Sequence, residues 1–239
     1  MSRTLARRCL LGLLLPALAL LSTLGCNARS AHRTATLIPG VGLGQLKIGV
    51  TTIDEAFRVL GESKSLSTSS GTSVSHSAVT GAGPEKHWHA AFVRYPDIDL
   101  ELVFRGESSA PGLTEEGQRA RFQQFRDKQL GKLYSIEVKL GHDPKETSKR
   151  VRHFEGKTDQ GIGLLSKKSE VDKIYGRPAR VWYTQFTGNI GYYRQGLNIT
   201  LKRLKPEEGG DAEEPVVVSI SVRRPFSQEE LDQVPRGSR

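Results

Sequence analysis

The chain has 239 residues, 36% of them hydrophobic, and 35 Lys and Arg stand against 26 Asp and Glu, a formal net charge of +9. That length accommodates one large domain or two small ones. Two cysteines exclude a disulfide-stapled scaffold, and past residue 25 no apolar run is long enough to span a bilayer.

The first element is N-terminal. Arg3, Arg7 and Arg8 make a positive start with no acid, and "CLLGLLLPALALLSTL", Cys9 to Leu24, is apolar and broken by Pro16. A membrane helix needs about 20 apolar residues, so this run is short. A basic start, a short apolar centre and small residues at its end predict a secretory signal peptide over 1–25. Pro16 and the length argue against an uncleaved anchor helix. "LSTLGC", ending at Cys26, resembles the lipobox of bacterial lipoproteins, with Thr23 where Leu is commonest. The resemblance implies a diacylglycerol on the Cys26 sulfur, cleavage before it, and acylation of the new amino end. In that family Asp after the cysteine goes with inner-membrane retention, so Asn27 implies the outer membrane. Arg7-Arg8-Cys9-Leu10-Leu11 loosely resembles a twin-arginine export signal. Cysteine counting agrees. Cys9 leaves with the signal, and Cys26 is then the single exported thiol, unable to form an intramolecular disulfide. Two or more acyl chains hold a protein stably on a membrane, at about 0.8 kcal/mol per buried methylene. The expected location is therefore the bacterial cell envelope, tethered without spanning. Losing the three arginines of the signal lowers the net charge from +9 to +6. A basic exported surface suits anionic partners such as lipid headgroups or wall polymers, with plain solubility as the simpler reading. No nucleic-acid partner is expected.

Next comes internal repetition. Residues 40–61 read "GVGLGQLKIGVTTIDEAFRVLG", and residues 161–176 read "GIGLLSKKSEVDKIYG". With Gly61 superimposed on Gly176, Glu55 meets Glu170, Ala56 meets Val171 and Val59 meets Ile174. In the first copy Thr52 and Glu55 fit a capping box. Ile53, Ala56, Phe57 and Leu60 share one helical face, and Gly61 can close the helix. In the second, the helix starts near Ser166, presents Val171, Ile174 and Tyr175, and stops at Gly176 before Pro178. The capping positions differ by one residue between the copies, and Leu164 stands in for Gly49. Downstream, "VRYPDIDLELVF" (93–104) alternates Ile98, Leu100 and Leu102 with Asp99 and Glu101. "YYRQGLNITLK" (192–202) alternates Leu197, Ile199 and Leu201 with Asn198 and Thr200. Period two predicts half-buried strands. Aromatic-rich strands precede them ("HWHAAFVRY"; "RVWYTQF" and "IGYYR"), and "LYSIEVKL" (133–140) and "VVVSISVRR" (216–224) close the copies.

The predicted fold class is α+β: two tandem repeats, each a short helix packed on a three- to four-stranded antiparallel sheet, after a signal peptide. The pattern is similar to SmpA/OmlA-like outer-membrane lipoprotein modules, with their Gly-x-Ser/Thr helix start and Leu-Gly-x-Pro helix end. The counterparts are Gly49, Thr51 and Leu60-Gly61, then Ser166, Val171 and "YGRP" (175–178). Its doubling resembles β-lactamase inhibitor proteins. These resemblances imply protein–protein binding or envelope assembly and carry over no catalytic residue.

The expected organisation is a signal peptide (1–25), a flexible lipid-anchored linker (26–36), repeat 1 (37–141), a basic linker (142–159), repeat 2 (160–225) and a loose tail (226–239). Within repeat 1, residues 62–86 are rich in Ser, Thr and Gly and read as a mobile loop. Residues 106–131 read as a basic helical insertion, with Phe122, Phe125 and Leu130 on one edge and Arg119, Arg121, Arg126 and Lys128 on the rest. A packed surface helix is the plain reading, and a helix lying on anionic membrane is the sharper one.

No catalytic constellation is evident. There is no Gly-x-Ser-x-Gly elbow and no phosphate-cradling Gly-Lys-Ser/Thr loop. His87 and His89 flank Trp88 on a strand, and two imidazoles on one face can start a zinc site, but no third ligand is apparent. No metal or cofactor is therefore expected beyond the lipid on Cys26. The expected role is a non-catalytic binding or assembly module for an envelope protein or an anionic envelope polymer. Its candidate surface is Trp88, Trp182, Tyr183, Tyr192 and Tyr193, although strand aromatics are more often core. The alternative is an envelope enzyme or metal-binding protein using His87 and His89 with acids such as Asp97 or Asp99.

Overall fold

The computed structural model describes residues 31–77, 81–107, 131–142, 150–184, 187–205, 208 and 214–232, with backbone alone over 70–77, 81–89 and at 107, 142 and 151. The signal peptide, Cys26 and almost all of the insertion 106–131 lie outside the described residues.

Two helices open the two halves of the chain. The first, α1 (Ile53–Leu60), starts as its residues dictate: Thr52 N–H donates to Glu55 Oε2 at 2.8 Å and Glu55 N–H to Thr52 Oγ1 at 3.3 Å. Ile53, Ala56, Phe57 and Leu60 are buried, and Gly61, at φ 78°, returns its N–H to Phe57 O. The second, α2 (Lys168–Tyr175), has Lys167 as its N-cap rather than Ser166. An ammonium cannot accept, so only the Glu170 half of a capping box exists, Lys167 N–H to Glu170 Oε2 at 2.7 Å. Ser166 Oγ accepts from Gly163 N–H instead. Of the expected apolar face, Val171 is fully buried and Tyr175 packs against the core, but Ile174 is 42% exposed. It sits in a surface groove with Pro39 and Pro225.

The strands follow in chain order. Three short ones, β1 (Leu37–Ile38), β2 (Gly42–Leu43) and β3 (Leu46–Lys47), make a small sheet. After α1 come β4 (Ser65–Ser77), β5 (Gly81–Tyr95), β6 (Leu100–Glu107) and β7 (Lys132–Lys139). The minor pair β8 (Gly141–His142) and β9 (Arg150–Val151) leads to α2. Then come β10 (Arg180–Tyr183), β11 (Gly188–Tyr192), β12 (Leu197–Lys202) and β13 (Val216–Arg223), and a last helix, α3 (Gln228–Asp232). The architecture is thus mixed α and β, mostly antiparallel, with few short helices.

Eight strands form one sheet in the order β10-β11-β12-β13-β7-β6-β5-β4. Alternation decides its faces. Leu100, Leu102 and Phe104 of β6 and Leu197, Ile199 and Leu201 of β12 are buried, with polar residues between them half-buried on the other face. One buried cluster holds these side chains together with Ile136 and Val138, Ile220 and Val222, the α1 face, Val171, and Leu37, Leu43 and Leu46 of the small sheet. Two buried tyrosines bind the helix ends. Tyr95 Oη donates to Gly61 O at 2.9 Å and Tyr192 Oη to Gly176 O at 3.3 Å. Burial, aided by Asp172, pushes the Tyr192 phenol up to about 12.

Four expectations are corrected. Residues 65–77 and 81–86 of the supposed Ser-rich loop are strand, with Ser65 opposite Arg94 and Thr72 opposite His87. A strand at a sheet edge is held by backbone hydrogen bonds, which serine supplies as well as valine; low apolar content argued against burial, not against pairing. The linkers are not loose. Phe154, in 142–159, is fully buried, and Arg33, in 26–36, accepts backbone bonds from Glu155 and Gly156. The two halves share one sheet and one core rather than forming separate domains, and Leu37 N–H donates to Lys157 O across them. The tail is docked as far as Asp232: Phe226 stacks on Tyr193 at 4.9 Å, and Arg224 pairs with Glu230.

One backbone position stores strain. Gly49, at φ 78°, donates to Leu133 O before α1; before α2 the residue doing this is Leu165, at φ 70°, donating to Val217 O. A left-handed Leu costs about 1–2 kcal/mol, and glycine gives back about 0.5–1 kcal/mol in entropy. Because the side chain is largely exposed, Leu165→Gly is expected to stabilise the fold by up to about 1 kcal/mol. Urea unfolding of the two chains checks this, and an unchanged or lower midpoint contradicts it.

Candidate functional site

The sheet's second face carries no core. The register draws a line of residues across it: Arg180, Gly191, Asn198, Ser221, Glu137, Glu101, Arg94 and Ser65, one per strand. Beside it run Trp182, Asn189, Thr200, Ser219 and Lys139.

The middle of this face is electrostatically complete. Glu101 and Glu137 stand directly opposite each other, an arrangement that repels unless cations intervene. Arg94 Nε lies 2.5 Å from Glu101, and Lys139 Nζ lies 3.2 Å from Glu137 and 3.9 Å from Glu101. Ser219 Oγ donates to Glu137 at 2.7 Å, and Thr200 Oγ1 donates to Asn189 Oδ1 at 2.9 Å.

The β10–β13 end is different. The Arg180 guanidinium lies 5.2 Å from the Trp182 ring centre. Arg223 lies over both Tyr193 and Phe226, at 4.9 and 4.2 Å. Glycine at 191 makes room for the Tyr193 ring, since a Cβ there would come within 2.5 Å of it. That ring therefore bridges the row between Arg180 and Asn198. The patch is continuous, from Trp182 through Arg180, Tyr193 and Asn198 to Arg223 and Phe226. Three of its buried polar atoms, Arg180 Nε, Asn198 Oδ1 and Arg223 Nε, have no hydrogen-bond partner. Leaving such an atom unpaired costs about 1–3 kcal/mol. Two donors and one acceptor thus await an incoming polar group, beside aromatic surface.

The candidate residues fare unequally. Trp182 is half-buried on the open face, and Tyr183, 72% exposed, lies against Gly188 at the sheet edge. Tyr192 and Tyr193 are corrected to buried residues, 2% and 5% exposed. Tyr192 faces the core and closes α2, and Tyr193 is covered by Phe226 and Arg223. His87, Trp88 and His89 belong to β5 by backbone; their side chains, like Cys26, lie outside what is described. Sequence reading missed Arg180, Asn198 and Arg223. Arg180 and Trp182 are two apart on a strand and so share a face, a signal that was legible; the stacking of Arg223 on Phe226 was not.

The acids proposed for the enzyme alternative do not gather around a cavity. Asp99, in a left-handed turn at φ 50°, pairs with His153 Nδ1 at 2.8 Å. This ties the 150–154 segment to the β5–β6 turn. Burial raises the Asp99 pKa, outweighing the attraction of His153 and the Gly141 and His153 amides. Among the described residues, no three His, Cys, Asp or Glu side chains cluster as metal ligands. No protein-family model, curated protein or solved structure matches the chain.

A carboxylate with a raised folded pKa favours folding below its unfolded value, and that contribution is lost as pH rises through the folded value. Asp99→Asn should therefore raise the unfolding midpoint at neutral pH, with the gain shrinking as pH falls through the carboxyl range. His153→Ala should cost about 1–2 kcal/mol at neutral pH, because it strands a half-buried charge. Urea titrations from pH 3 to 8 follow both; a pH-independent Asp99→Asn effect refutes the account (pH range on the order of the carboxyl titration).

Proposed function

We propose that this chain is a lipid-anchored, non-catalytic protein of the bacterial cell envelope that binds another envelope protein through the open face of its sheet. The observation that carries the reading is the arginine–aromatic patch at the β10–β13 end, with its three unpartnered buried polar atoms. Arginine and aromatic side chains dominate the energetics of protein interfaces. The self-neutralised centre of the face would supply register rather than affinity. The lipobox-like segment ending at Cys26 supports the tether, and Asn27 supports the outer membrane.

The two halves are read as copies of one unit, a helix laid on a four-stranded meander, as in the tandem modules the sequence resembles. Several correspondences support this. Gly61 with Tyr95 matches Gly176 with Tyr192. The turn after Tyr95 has Ile98 N–H to Tyr95 O and Lys139 N–H to Asp99 O; the turn after Tyr192 has Gln195 N–H to Tyr192 O and Arg223 N–H to Gly196 O. Asp99 and Gly196 both take positive φ. β6 has an irregularity at Val103/Phe104 and β12 at Thr200/Leu201, equivalent positions. In the β7–β13 joint, Ile136 faces Val222 and Val138 faces Ile220, a register that maps onto itself when the halves are exchanged.

A photo-crosslinking residue at Tyr183 in the anchored protein of intact cells should capture one recurrent envelope protein, and Arg180→Ala or Trp182→Ala should weaken capture about tenfold or more. Capture indifferent to both substitutions argues against this face. Cys26→Ser should release the protein from membranes, and mass spectrometry of the parent should find an acylated residue 26; an unmodified thiol there contradicts the tether.

A further inference from the structure

The surface made by the small sheet and the two main helices carries the second inference, which rests on the lipid tether at Cys26. Of the large hydrophobic side chains exposed among the described residues, Ile38, Val41, Val50, Leu165 and Ile174 lie here, Val50 at 62% exposure. They form connected ground. One groove of about 660 Å³ is lined by Val50, Val59, Lys47 and Arg58 beside Ala31 and His32. A second, of about 460 Å³, is lined by Pro39, Ile174 and Arg194. The small sheet joins them, Ile48 N–H donating to Val41 O at 2.8 Å.

Where the chain enters the structure decides what this surface meets. Ala31 lines the first groove and stands five residues after Cys26. Five residues reach at most about 18 Å when fully extended. A lipid on Cys26 therefore holds the first groove within about 18 Å of the bilayer, whatever path the intervening residues take. The charge agrees. Lys47, Arg58 and Arg194 are exposed. Nearby acids are engaged: Glu55 accepts the Thr52 amide, and Asp159 accepts from Gln160 at 3.4 Å. Exposed aliphatic side chains ringed by Lys and Arg are the composition of a surface that rests at an anionic lipid interface.

We infer that this surface lies against an anionic membrane, Val50 and Ile174 at headgroup level, so that the open sheet face points away from the lipid toward its protein partner. The tether gives proximity, and the basic, apolar surface gives orientation.

Two arms test this. In the first, the acylated full chain is reconstituted into phosphatidylglycerol-rich vesicles with an environment-sensitive fluorophore at position 50, 174 or 183. Lipid-borne quenchers should quench the probes at 50 and 174 and spare the one at 183. Equal quenching at all three positions, or none at 50, overturns the orientation even if the protein floats with the vesicles. In the second, the Cys26→Ser chain is titrated with phosphatidylglycerol-rich and with pure phosphatidylcholine vesicles. Binding should be at least about tenfold stronger to the former, should weaken with salt, and should fall about tenfold or more in the Lys47→Glu, Arg58→Glu double variant, whose unfolding midpoint serves as the folding control. Equal binding to both vesicle types overturns the inference whatever the state of Cys26. Failure of the unaltered chain to float overturns only the tether.

Discussion

The antiparallel pairing of β7 with β13 is the constraint on which the rest depends. Each is the last strand of its half, and five residue pairs join them, from Ser219 with Lys139 to Arg223 with Ser135. Strand side chains alternate, so one register sets both faces at once. Ile136 and Val138 meet Val222 and Ile220 in the core, while Glu137 meets Ser221 on the open side. A slip of one residue would bury Glu137 and expose both aliphatic pairs. Without this joint each half would have four strands and an open edge; with it there is one eight-stranded sheet over one core.

That single core explains why elements with little apolar content of their own are ordered. Phe154 and Leu37 are fully buried although their neighbours are basic or polar, because both halves contribute walls around them. The Asp99–His153 pair belongs to the same logic. Asp99 takes its left-handed turn beside Gly141, where a Cβ on residue 141 would lie 2.4 Å from the carboxylate. Its proximity to His153 compensates part of the desolvation that the turn imposes, and fastens the segment between the halves to the first of them.

The two sides of the molecule divide the chemistry. On the open face, opposed glutamates are balanced by Arg94 and Lys139, so the centre is finished, and the unfinished groups lie at one end. On the core side, the helices and the small sheet show aliphatic side chains and cations near the point where the chain enters. A protein surface and a lipid surface make different demands. Paired hydrogen-bonding groups next to aromatic anchors suit the first, and scattered aliphatics with mobile cations suit the second.

Local physics was legible residue by residue. The Thr52–Glu55 capping box, the closing Gly61 and Gly176, and the alternation in β6, β7, β12 and β13 each depend on neighbours a few positions apart, and the structure has them where the pattern put them. The start of α2 was misplaced by one residue because a lysine N-cap has no acceptor to announce it. The serine-rich run was misread because pairing partners of a strand are not written in the strand. Tyr193 looked like a surface aromatic until Phe226 and Arg223, distant in the chain, were stacked on it. By itself the sequence determined which segments are helix or strand, which way most of their side chains face, and that a lipobox-like cysteine precedes them. Only the tertiary structure decided that the two halves share one sheet and one core, and which polar atoms are left without partners, because those outcomes depend on contacts between residues that no local pattern relates.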